Sequence, residues 1–130
     1  MPTQPDQAFI DRATKLYDSV STATKEQVAQ LLADAAAYGP ESVEMAHALA
    51  MKGRMARWDQ TDLAAGVEAY DRALQLAEIH HIDGEIQVRW LRAFSCLCDD
   101  LDVPKRAIET AEKCRALSAP MKGKLLPETT

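Results

Sequence analysis

A two-helix pattern that occurs twice, about 42 residues apart, constrains this chain more than any other feature of its sequence. The first copy runs from Glu41 to about His80 and the second from about Gly84 to Ser118. Leu49 and Leu91 correspond at an offset of 42, as do Gly53 and Ser95. Along the second helix of each copy, Gly66, Tyr70 and Ala73 correspond to Ala107, Ala111 and Cys114 at an offset of 41. Small residues where paired helices touch allow close approach. A unit repeated at near-constant spacing stacks on its neighbour to build one continuous core with a groove along it. This favours a binding module over an enzyme.

Composition agrees with helical packing. Aromatic residues make up 5% of the chain, and alanine supplies much of the 47% that is apolar. Such a content suits close helix contacts and disfavours a β-sandwich, which draws on β-branched and aromatic side chains. At 130 residues the chain fits one domain. A net charge of −5 weighs against nucleic acid as a partner, because phosphate binding needs clustered cations. No run approaches 18 uncharged apolar residues, so no membrane span is expected, and the first residues lack a signal-peptide pattern. Cys96, Cys98 and Cys114 cannot all pair within one chain. Reduced thiols and a cytoplasmic location are the simplest expectation.

The periodicity predicts six helices in a domain over residues 1–120, followed by a mobile tail over 121–130. The first helix spans Asp6 to Ser19, with Phe9, Ile10, Ala13, Leu16 and Tyr17 at helical spacing. Thr24 and Gln27 form a capping box for the second, which runs to Tyr38. Gly39-Pro40 reads as a stop followed by a restart, with the proline in the first turn of the third helix. That helix, ending near Trp58, is apolar on two sides: Met45, Ala46, Leu49, Gly53 and Ala56 on one, Met51, Met55 and Trp58 on another. It is therefore expected at the centre. Thr61-Asp62 caps the fourth helix. The fifth buries Ile86, Trp90, Ala93, Phe94, Leu97 and Leu101, and Asp102 is expected to cap the sixth, with Pro104 in its first turn.

These residues resemble the tetratricopeptide repeat family. Gly53 followed by Gly66, Tyr70 and Ala73 matches its pattern of a small residue in the first helix and small–aromatic–small positions in the second. The unit carrying Leu91, Ser95, Ala107, Ala111 and Cys114 is a degenerate copy. The period exceeds the family's usual length of about 34, so the resemblance is to a long-helix variant. It implies an all-α fold, a right-handed superhelical stack of about three antiparallel helix pairs. It also implies that the first helix of each pair lines a concave face.

Carried onto this sequence, that face would present Tyr17 with Ile10 and Thr14, then His47, Ala50, Arg54 and Arg57, then Arg89, Arg92, Cys96 and Asp99. Four arginines in one concavity would suit an acidic or carboxylate-ended peptide, because guanidinium groups bind oxyanions bidentately. The alternative is that these arginines are solvated or locally paired, as Glu85 could pair with Arg89 four residues on. His80-His81 with Asp83 and Glu85 lacks the second cluster a zinc site needs, so no metal or other cofactor is expected. Neither a nucleophile with an identifiable base nor a glycine-rich phosphate loop occurs.

The expected function is thus a non-catalytic module that binds a peptide or protein segment. The alternative is an N-terminal regulatory or dimerisation domain of a bacterial signalling protein, such as a diguanylate cyclase or a transcription regulator. The array ends without a polar solvating helix, which makes a homodimer a second expectation.

Overall fold

The computed structural model describes residues 4–119, whose regular structure is all helical, without a strand among them. Six α-helices follow in order: α1 (Gln7–Asp18), α2 (Lys25–Ala36), α3 (Val43–Asp59), α4 (Leu63–His80), α5 (Gly84–Asp100) and α6 (Pro104–Ser118). The expectation of a mobile tail over residues 121–130 lies outside the described residues.

Local chemistry explains where the helices begin. Asp6 accepts from the Phe9 amide at the start of α1. At α2 the full capping box forms, Thr24 Oγ1 accepting from the Gln27 amide at 3.1 Å while Gln27 Oε1 accepts from the Thr24 amide at 2.9 Å. Asp62 caps α4 as expected. Two starts differ from the sequence reading. Pro40 is not in the first turn of α3. That helix begins at Val43, where Ser42 Oγ accepts from the Met45 amide at 3.0 Å, a stronger start signal than a proline two residues earlier. Asp102 does not cap α6: it adopts a left-handed conformation at φ 61°, and the cap position falls to Val103, which has no side chain able to accept a hydrogen bond.

Helix α3 is the centre of the fold, packing on α4 most extensively and also on α1, α2 and α5. The odd-numbered helices α1, α3 and α5 form one layer, and α4 and α6 lie behind α3 and α5. Ion pairs Asp71–Arg106 and Glu78–Lys113, seven residues apart on both helices, set α4 and α6 parallel and in register. Not every expected pair is closed. The pairs α3–α4 and α5–α6 are extensive, whereas α1 and α2 meet each other weakly and lean separately on α3. An open cleft of about 950 Å³ lies between them.

In both copies the corresponding positions lie at the contact between paired helices, through different atoms. A β-carbon on Gly66 would lie 3.6 Å from the Gly53 carbonyl oxygen, and at the matching positions Ser95 Oγ donates to the Ala107 carbonyl at 3.1 Å. Trp90 is buried, as expected, but Trp58 is not: it is 56% exposed, while Met51 and Met55 on the same side of α3 are buried.

Candidate functional site

The layer of odd helices is organised around Tyr70, which reaches it from α4. Its ring passes close against α3 at Gly53, and its hydroxyl meets that of Tyr17 in α1 at 2.8 Å. Phe94 of α5 lies at 5.9 Å between ring centroids. One side chain thus touches three helices, and it is fully buried. Burial raises the pKa of both phenols, so each remains a neutral donor and acceptor for the other.

The same layer carries the arginines singled out by the sequence, but they do not converge as four open cations. Arg54 donates through Nε to the Tyr17 carbonyl at 3.0 Å, with its guanidinium 4.7 Å from the Tyr17 ring. Arg89 pairs with Asp18, not with Glu85, and lies 5.4 Å from the same ring. Arg57 pairs with Asp100 at 3.2 Å, and Gln60 donates to that carboxylate at 3.1 Å. Arg92 belongs to another side of α5, where its charge acts on the Cys114 thiol of α6. The broad cationic groove is therefore not formed. Packing brings Asp18 from the end of α1 and Asp100 from the end of α5 onto arginines 71 and 43 positions away, a pairing no local spacing announces.

Tyr17 and His47 are likewise not surface contacts, because both are buried. His47 stands edge-on to Trp90 at 5.1 Å, and burial lowers its pKa to about 4 despite the opposing influence of Glu44. The opening among Tyr17, His47, Arg89 and Trp90 measures about 20 Å³, so side chains fill this stretch of the layer. Ala50 is fully buried as well. Glu44, also buried, accepts from the Asp6 amide at 2.7 Å, and Asp6 in turn accepts from the Tyr38 hydroxyl at 2.6 Å. This chain ties the start of α1 to α3.

A cleft opens on this layer near the end of α3. It measures about 210 Å³ and is lined by Val20, Arg54, Arg57, Trp58, Tyr70 and Ala93. The sequence reading places Trp58 in the core and so misses it as a site residue; the charged residues on either side of it at the end of α3, Arg57 and Asp59, are the signal that was available. The larger opening between α1 and α2 is rimmed by charges of both signs, Asp11, Arg12, Lys15 and Asp18 among them, with Leu16 in its wall. Among the described residues no three His, Cys, Asp or Glu side chains come together as metal ligands, and no helix is long and apolar enough to cross a membrane. Comparison with known proteins finds no matching family model, no matching curated protein and no matching solved structure.

Proposed function

We propose that this chain is a non-catalytic, tetratricopeptide-like module that binds a peptide or protein segment on the layer formed by α1, α3 and α5. The observation that carries this reading is Trp58, a large aromatic side chain 56% exposed at the rim of a cleft on that layer. Tryptophan is enriched among residues that anchor protein interfaces, since it offers much apolar area for few rotatable bonds. The closeness of the corresponding pairs Gly53–Gly66 and Ser95–Ala107 supports a repeat architecture, and a right-handed superhelical stack is the form proposed for it. The proposed binding mode is an aromatic anchor rather than a long-range positive field.

Selection from a random peptide display library, followed by an NMR footprint of the selected peptide, tests the reading. Signals from α1, α3 and α5 are expected to move, and Trp58→Ala is expected to abolish binding without loss of fold. A footprint confined to the even helices would overturn it.

A second reading rests on a different observation. Ile108 on α6 is 59% exposed and Ile79 on α4 is 63% exposed, a pair of apolar side chains suited to a regulatory or dimerisation domain of a signalling protein. Molar mass by light scattering across a concentration series tests it. A rise towards twice 14.3 kDa, removed by Ile108→Glu, is the outcome it requires.

A further inference from the structure

Resting on the peptide-binding reading, we propose that the cleft beside Trp58 takes a segment carrying one large apolar side chain with a single carboxylate next to it. The apolar half follows from the walls. Val20 and Ala93 line it above the buried Tyr70, Trp58 supplies an exposed aromatic side, and about 210 Å³ accommodates one large side chain rather than a run of them.

The carboxylate follows from counting charge. Arg54 and Arg57 line the cleft, and Asp100 balances Arg57. Among the described residues no carboxylate pairs with Arg54, so the cleft holds one cation in excess. Arg54 is also held in place, its Nε bound to the Tyr17 carbonyl and its plane over the Tyr17 ring. Its terminal amino groups are thereby preorganised for an oxyanion. A neutral apolar segment laid across the cleft would strip water from this guanidinium without replacing it, which is unfavourable. An acidic run would meet Asp100, which sits on Arg57 at the same cleft. One carboxylate satisfies the site and two do not.

The carboxylate can come from a chain terminus or from an acidic side chain beside the apolar residue, and the probes separate the two. The ¹⁵N-labelled protein is titrated with N-acetyl-phenylalanine, with its amide, and with N-acetyl-aspartyl-phenylalanine amide, following the Trp58 indole signal. The first probe is expected to shift this signal and to bind at least ~10-fold more tightly than the amide, the size of one charge-assisted contact. A gain shown by the aspartyl probe as well assigns the carboxylate to either source; a gain by the first alone assigns it to a terminus. Arg54→Gln, which keeps a donor for the Tyr17 carbonyl, is expected to erase the preference for acid over amide. Trp58→Ala, at an exposed position, is expected to weaken all three probes. Arg72→Ala, which removes the same charge on α4, is expected to change nothing. Equal binding of acid and amide, or no shift at Trp58 with any probe, overturns the proposal. A display-selected peptide that still requires Trp58 but ignores Arg54→Gln would overturn this proposal alone, whereas a footprint away from α1, α3 and α5 would overturn the parent reading with it.

Discussion

The ring of Tyr70 occupies the space that a side chain on Gly53 would need: a β-carbon there would lie 2.9 Å from Tyr70 Cγ and closer still to Cδ2 and Cε2. Tyr70 cannot withdraw, because its hydroxyl is held by Tyr17 and it is enclosed by α3 and α5. In an exposed helix, Gly→Ala stabilises by about 1 kcal/mol. Here overpacking is expected to outweigh that gain, so Gly53→Ala should destabilise, and Gly53→Leu by about 1–3 kcal/mol or more. Denaturant melts of both variants check this; an alanine variant more stable than the parent would refute the contact.

Removing one hydroxyl of the Tyr17–Tyr70 pair leaves the other buried without its partner. Each of Tyr17→Phe and Tyr70→Phe is expected to destabilise by about 1–3 kcal/mol. The double variant leaves no orphaned hydroxyl, so it should fall short of the sum by at least ~0.5 kcal/mol. Strict additivity in a double-mutant cycle would show that the two hydroxyls act independently.

His47 sets a pH dependence whose sign is determined by burial. Its pKa falls from 6.5 to about 4 on folding, so the unfolded chain binds the proton more readily. The contribution is complete above pH 6.5 and is lost as pH falls towards 4, amounting to on the order of 3 kcal/mol. His47→Leu should flatten this part of the profile. The check is the difference in unfolding free energy between parent and variant at pH 7 and pH 4.5, which should change between the two.

Of the three thiols, Cys96 is exposed, whereas Cys98 and Cys114 are buried with pKa values raised by desolvation. Thiol titration under native conditions is expected to show one fast-reacting group, absent in Cys96→Ser, and two that react on unfolding. Three equally fast thiols would contradict the packing of α5 on α6.

Helix number, most boundaries and the repeat register were legible in the sequence, because 3.6-residue periodicity, capping residues and small residues at contacts are local signals. The equivalence of Gly53 with Ser95, and of Gly66 with Ala107, needed only counting. The candidate site was less legible. That Arg57 meets Asp100 and Arg89 meets Asp18 depends on how α1, α3 and α5 lie together, which no spacing along one helix encodes. His47 and Tyr17 were placed on a concave face by the family resemblance, and a repeat pattern does not tell an open groove from one filled by Trp90 and Tyr70. Trp58 was misassigned for the converse reason: an apolar residue on a central helix can face outward in a turn whose other members are covered, as Met55 and Ala56 are here.

The weak junction between α1 and α2 bears on the order in which the chain acquires structure. Neither helix has a packing surface until α3 is in place, and α3 finds its most extensive partner in α4, joined to it by a short turn. The α3–α4 hairpin is therefore the expected nucleus, with α1 and α2 condensing onto it late and separately. Substitutions at that interface, such as Ala73→Gly, should slow refolding, whereas Leu31→Ala in α2 should chiefly hasten unfolding. Chevron plots of the two variants would tell these cases apart, and the reverse assignment would place the nucleus at the amino-terminal end.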